Sequence, residues 1–546
     1  MPVPEWPRLA WIAVCEEGAD EVTVFVGSGV EVTDDWLCEG IWDGPYIAGD
    51  LDRTDVVFGS GVRLRGDTVV FVSSGTTVDR LHAWEGEGEQ YVSNSLPCIL
   101  AFAGGRLDLF FEQYGRVSRS IVKGLDAYER SLPTTVGPVQ LTYFNNLVWD
   151  GHELSEVPKP DLERDFSTYE TYRSFLDETM ERLSTNARAP QRRSPFGLVS
   201  TLSSGYDSPT SSVLASQVGC HRAFGFDLAR RNRHDSGAPI ARILGLQYDT
   251  VETKAWRSEP MAAVPFLAAL TSNGSSVPFK GAEALLAGNV VFTGFHGDKV
   301  WDRKTQDLGP NIVRSDGSGT DLTEYRLWVG FVNCAVPFLG VRQIKDIHGI
   351  TISADLAPWD IKGGYSRPIC RRIVEERSVP RHEFGVEKKA TAQFILRADN
   401  FLTREMRLDY YRWLRSRRLA WVSRGVKPPS RLTDARFVAR ARVGMMTERL
   451  RGSGAVNRLG RRVDGMLTRL LPESDPRKRH VFHQYAFHWA VERAKERYPE
   501  PRWVAGAPGS SSAASQPVRI GRDVPLLNLA RKSLRKVSQP LIRRPW

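Results

Sequence analysis

Two short segments of this chain carry acids and small hydroxylated residues in a pattern suited to gripping a polyphosphate. The first is Ser203-Ser204-Gly205-Tyr206-Asp207-Ser208, which follows an apolar run at 196–202 and precedes a helical pattern. Small residues let backbone N–H groups approach an anion closely, and the following helix turns its positive end toward it. The hydroxyls of Ser203, Ser204 and Ser208 are further donors. Asp207 would repel bare phosphate, so its presence implies a divalent cation between the two. Magnesium favours one or two carboxylates plus phosphate oxygens. Taken alone, the segment also suits a turn that caps a helix through Asp207 or Ser208. The second segment, VVFTGFHGDKVWD at 290–302, is another apolar run breaking into a loop with Gly294 and Asp298. His296 in that loop is either a general base suited to neutral pH or a packing histidine.

Such loops need a framework that brings them together. Short apolar runs at 196–202, 223–227, 247–252 and 290–293 alternate with helical patterns at 211–217 and 235–244. That succession predicts an α/β unit with a doubly wound parallel sheet, whose ligands sit at the carboxyl ends of strands. Residues 1–150 read instead as mostly β and sandwich-like, with runs such as 21–26, 68–72 and 98–103 between Gly, Asp and Ser turns. At 167–183, Tyr169, Tyr172, Leu176, Met180 and Leu183 recur at helical spacing.

The whole chain has 546 residues, enough for two or three domains of roughly 100–200 residues. Its longest apolar stretch, at 261–270, is far short of the ~20 residues a membrane span needs. The start lacks a basic region before its apolar residues, so a cytoplasmic location is expected. Six cysteines without ligand spacing read as buried free thiols. Charge is uneven: residues 401–546 hold 33 Lys and Arg against 11 Asp and Glu, a net of +22, and the remainder carries −12. This Arg-rich end, with Tyr410, Tyr411, Trp413 and Trp421, has the composition of a surface for nucleic acid or an anionic membrane. A helical face that is merely solvated is the preferred reading of it. A Gly/Ser/Ala-rich linker at 506–517 and a basic tail follow.

The 203–208 segment resembles the pyrophosphate loop SGGxDS of the N-type ATP pyrophosphatases, with Ser204 replacing the first glycine. Within that superfamily the chain is most similar to the asparagine synthetase B group, which includes β-lactam synthetase and lasso-peptide cyclases. Those enzymes adenylate a carboxylate with ATP and magnesium, release pyrophosphate and pass the acyl group to an amine. The 290–302 segment is similar to the family's VxxTGxGxDExxGGY, which makes Asp298 the second magnesium-binding aspartate and Gly294 the first glycine of the loop. AFGFD at 223–227 resembles the strand that offers backbone groups to adenine, which points to Phe224. The stretch 356–391 resembles the family's lysine-bearing region: Lys388 or Lys389 would reach the α-phosphate, and Lys362 and Arg367 are further matches. The resemblance covers 165–400 and implies four parts. These are a degenerate glutaminase-like domain (1–150), an ATP-pyrophosphatase domain (165–400), a basic helical extension (401–505), and a flexible linker with a basic tail (506–546).

The departures are informative. Glutaminase members begin with a catalytic cysteine after Met1, whereas this chain reads Met1-Pro2-Val3. Phe295 stands where the synthetase loop has a glutamate base, and Lys299 replaces the glutamate after Asp298. The resemblance therefore implies a ligase whose small-molecule or peptide substrates supply a carboxylate and an amine. Ammonia-dependent asparagine synthesis is the near variant. An inactive nucleotide-binding module with a basic surface is the reading from another class, and a homodimer is among the assemblies the resemblance allows. Glutamine incubated with the purified chain is expected to release no glutamate. Robust turnover would reveal an unrecognised nucleophile.

Overall fold

The computed structural model describes residues 2–19, 21–229, 233–269, 275–361, 364–387, 389, 402–425, 485–499 and 518–521. Period-two burial builds its first half. Trp11, Ala13 and Cys15 of Trp11–Glu16 enter one core, while Ile12 enters another on the opposite face. One antiparallel sheet runs Ser131–Leu132, Val139–Thr142, Leu81–Glu85, Glu89–Ser93, Trp11–Glu16, Glu21–Val26, Val518–Gly521. The other runs Leu154–Val157, Asn146–Trp149, Thr68–Val72, Gly61–Arg65, Trp36–Cys38, Glu31–Val32. Both contribute to a shared core that includes Trp11, Val24, Val92, Leu37, Phe71 and Trp149. Such interleaving is how two sheets pack face to face.

Two expectations change here. The 98–103 run is not a strand but part of the helix Leu96–Phe102, because Ser95 accepts from the Cys98 N–H and Pro97 suits a first turn. The 506–546 tail contains the strand Val518–Gly521, antiparallel to Glu21–Val26. All six cysteines are free and buried, as composition suggested.

The second half opens with α1 (Tyr169–Ala187), capped by Thr168, whose hydroxyl accepts from the Thr171 N–H. Its buried stripe holds Tyr172, Leu176, Met180 and Leu183. Five parallel strands follow: β1 (Gly197–Thr201), β2 (Arg222–Phe226), β3 (Gln247–Val251), β4 (Asn289–Thr293) and β5 (Val332–Ala335). Their order is β3-β2-β1-β4-β5, with Ser200 paired to Phe292 across β1 and β4. The winding reverses between β1 and β4, and a crevice opens at the carboxyl ends of such neighbours. Among the helices of this half are α2 (Asp207–Gln217), α3 (Ala238–Ile243), α4 (Gly297–Val300), α5 (Thr323–Val329) and α6 (Pro368–Glu375). In the basic end, α7 (Arg404–Ser416), α8 (Arg418–Ser423) and α9 (Ala486–Lys495) are helical as expected. However, α9 is no appendage: it packs on Leu96–Phe102 and buries Trp489. Among the described residues no helix is long and apolar enough to cross a membrane.

The two halves are joined by buried charge. Arg326 of α5 donates to Glu39 at 2.6 and 2.9 Å and stands 3.0 Å from Asp79. Glu324, one turn away from Trp328, accepts from Ser95 at 2.8 Å, Trp328 at 3.0 Å and Tyr498 at 2.6 Å. Removing one member of a buried ion cluster strands the others in low dielectric. Arg326→Met is therefore expected to cost ~3–5 kcal/mol in denaturant unfolding. Arg116→Ala, at the surface pair with Glu129, stays within ~1 kcal/mol.

Candidate functional site: a phosphate loop at the sheet crossover

Leu202 still donates to the Phe224 carbonyl at 2.8 Å, so the chain leaves the sheet at Ser203. The loop then folds around its own hydroxyls. Ser203 N–H donates to Ser208 Oγ at 3.0 Å, the two hydroxyls lie 2.9 Å apart, and Gly205 N–H donates to Ser203 Oγ at 3.3 Å. Ser204 gives both its N–H (3.0 Å) and its hydroxyl (2.7 Å) to the buried Asp235. The eleven-residue α2 starts directly at Asp207, without a side-chain cap. Its first-turn N–H groups therefore stand beside the loop, where a helix most readily accepts an anion.

The 294–298 loop meets this one at close range. A Cβ on Gly294 would lie 2.6 Å from Asp207 Cβ, and one on Gly297 would lie 2.6 Å from Asp207 Cγ and Oδ1. The Asp207 carboxylate thus rests directly on Gly297, and Asp298 is the next residue. Below them, Ser211 Oγ donates to the Thr293 carbonyl at 3.2 Å, tying α2 to the end of β4.

Cations complete the rim. Arg367, buried just before α6, donates through Nη1 to Asp207 Oδ1, and its Nε is 3.8 Å from Asp302 Oδ2. Lys389 Nζ donates to Ser204 Oγ at 3.2 Å. The segment bearing Lys389 docks through Gly385, whose N–H donates to the Ser204 carbonyl at 2.9 Å. Gly385 has φ +63, and any Cβ there would lie 2.3 Å from the Tyr206 ring, so the approach requires glycine. Tyr206 is buried and accepts from Arg371 Nη2 at 2.6 Å.

The predicted residues divide accordingly. Ser203, Ser204, Gly205, Asp207, Ser208, Gly294 and Lys389 come together at one rim, and Asp298 follows Gly297 in the loop that meets it. Lys388 and Lys362 lie outside the described residues. Phe224 does not offer its backbone to a ligand as expected: its ring is in the core, and its carbonyl accepts from Leu202 inside the sheet. Of the two readings of His296, the structure bears out the packing one and not the general base. Its ring is buried and stacked on Phe338 at 4.7 Å, with no protein partner for either nitrogen. Desolvation, with Arg314 and Lys299 nearby, holds its pKa well below the usual value. The geometry thus gives no support to a general base at His296. Asp235, Asp302 and Tyr365, whose ring lies 4.8 Å from that of Tyr206, were missed by sequence reasoning. Asp235 opens the DSGAP segment, and a buried acid after a strand was the available signal.

Among the described residues no group of three or more His, Cys, Asp or Glu is arranged to hold a metal. Asp207 and Asp298, on adjoining loops, are acids that magnesium would take with phosphate supplying the other oxygens, and Arg367 already donates to Asp207. A scan of protein-family models finds no match to this chain, and neither does a search of curated proteins.

Magnesium alone is expected to bind weakly, and magnesium with inorganic pyrophosphate measurably, by titration calorimetry. Gly297→Ala, which forces the Asp207 carboxylate aside, is expected to weaken that binding ~10-fold, equivalent to ~1.4 kcal/mol.

Proposed function

We propose that the chain is an ATP-dependent carbon–nitrogen ligase that adenylates a carboxylate and transfers the acyl group to an amine. One observation carries this reading above all. The serine loop after β1 and the aspartate loop after β4 converge at the sheet crossover, with Asp207 seated on Gly297 and Lys389 on Ser204. Doubly wound sheets bind nucleotides at this place. Order along the chain adds support, because the loop, the second aspartate and the lysine segment follow one another as the resemblance to the asparagine synthetase B group implies.

The residues then divide the work. N–H groups at the start of α2 and the serine hydroxyls receive phosphate oxygens. Asp207 and Asp298 would hold magnesium, which neutralises charge on a departing pyrophosphate. A substrate carboxylate oxygen bonds the α-phosphorus of ATP, the α–β bridge bond breaks, and pyrophosphate leaves. Lys389 supplies a cation to charge that develops only during this exchange, which is where binding energy lowers a barrier. An uncharged amine then bonds the acyl carbon, AMP departs with the bonding electrons, and the surplus proton passes to solvent. With His296 buried, no side chain is assigned as base.

One feature favours a second reading. Arg367 already occupies an Asp207 oxygen, as it would in a nucleotide-binding module that has lost its metal. Pyrophosphate release with ATP, magnesium and a panel of carboxylic acids decides between the two. The ligase reading expects release that falls at least ~100-fold in Asp207→Ala, the loss of ~2.7 kcal/mol of transition-state stabilisation. ATP binding without release, unaltered in Asp207→Ala, identifies the module.

A further inference from the structure

The basic C-terminal end was expected to hold aromatic residues among its arginines. The structure separates the two. Tyr410, Trp413 and Trp421 are all buried: Tyr410 is stacked on Trp413, and Trp421 lies against Tyr485. Of the four aromatic residues named above, only Tyr411 is partly exposed. The outward side of α7 and α8 is aliphatic and cationic instead. Leu408 is 48% exposed, Leu419 80% and Val422 55%. With Arg412 and Arg415 they form the series 408, 412, 415, 419, 422, whose steps of four and three keep residues on one helical face. A single turn residue, Arg417 (φ −91, ψ −1), separates the two helices, and the buried positions Tyr410, Trp413, Leu414 and Trp421 run along one side of both. Arg404, Arg407, Arg418 and Arg424 are exposed as well, against one exposed acid on these two helices, Glu405, and the exposed Glu496 beside Arg412 at the end of α9.

We propose that this face of α7 and α8 docks on an anionic lipid surface, laying Leu408, Leu419 and Val422 into the headgroup boundary while the arginines pair with lipid phosphates. Exposed leucines spaced along a cationic helix are costly in water and gain by burial at such an interface. Guanidinium groups bind phosphate in bidentate fashion, and a cluster of them is drawn to a negatively charged leaflet. Nucleic acid matches the charge but offers little to three aliphatic side chains, and three of the four aromatic rings that would stack on bases are buried. The inside of the same helices is firmly anchored: Asp409 accepts from Trp489 at 2.8 Å and from Arg493 at 2.7 Å. The outward face is thus presented by a fixed element. The inference is independent of the ligase reading, since no residue of this face belongs to the phosphate loop.

The test is co-sedimentation of the full-length chain with vesicles of phosphatidylcholine alone, or with roughly a third phosphatidylglycerol. Binding to the anionic vesicles is expected, weakened by added salt and at least ~10-fold stronger than to the neutral ones. The triple variant Leu408→Ser, Leu419→Ser, Val422→Ser removes only exposed side chains. It should lose ~10-fold in vesicle affinity at unchanged melting temperature. Arg412→Gln with Arg415→Gln should lose affinity and salt dependence together. The proposal is overturned if both variants sediment like the parent, which would leave the tail as the anchor. It is equally overturned if the parent ignores anionic vesicles, or if the triple variant changes only duplex-DNA binding or self-association.

Discussion

The Asp207 carboxylate lies where any side chain on residue 297 would have to be, 2.6 Å from the position of a Cβ. That approach fixes the distance between the loops after β1 and β4, and the rest of the rim is organised around it. Gly294 removes the clash with the Asp207 backbone, Arg367 takes one carboxylate oxygen, and Asp298 follows Gly297. Asp207 also begins α2, so one residue sits at the positive end of a helix, against a second loop, and beside a buried guanidinium. A carboxylate at a helix start is favourable by ~0.3–1 kcal/mol on its own. Its pairing with a buried arginine is worth keeping only as a set, because either partner alone would be an uncompensated charge.

The rest of the molecule supplies rigidity to that rim. The sandwich meets α5 through Arg326, Glu39 and Asp79, and the C-terminal Tyr498 reaches the same helix through Glu324. Residues near both ends of the described chain therefore converge on α5, immediately before β5. Buried charge sets of this kind add little net stability, but they penalise any other arrangement of the same surfaces. A rim built on loops gains precision when the elements beneath it have one way to pack.

Much of this was legible in the sequence. Strands at 21–26 and 68–72 and the Tyr169–Leu183 stripe follow directly from period-two and period-3.6 burial. Four of the five parallel strands were visible as apolar runs between helical patterns. The fifth, Val332–Ala335, lies in an apolar stretch that runs on into Pro337, and periodicity alone does not separate a buried strand from its surroundings there. The 98–103 run misled because its apolar composition suits a strand, whereas Ser95 and Pro97 just upstream specify a helix start. At the site, residue type announced the serines and aspartates. It did not announce that His296 faces Phe338, that Asp235 holds Ser204, or that Trp413 and Trp421 turn inward, since those depend on which side of an element the fold covers.

The central claim is that Asp207 and Asp298 jointly hold metal-bound polyphosphate against the start of α2. A crystal of the chain grown with magnesium and an ATP analogue carrying a non-hydrolysable α–β bridge tests it most directly. Phosphate density over the serine loop, with a metal between the two aspartates, is the expected result. Phosphates bound elsewhere, or a loop still closed on Ser203, Ser208 and Arg367 with the analogue absent, would contradict it.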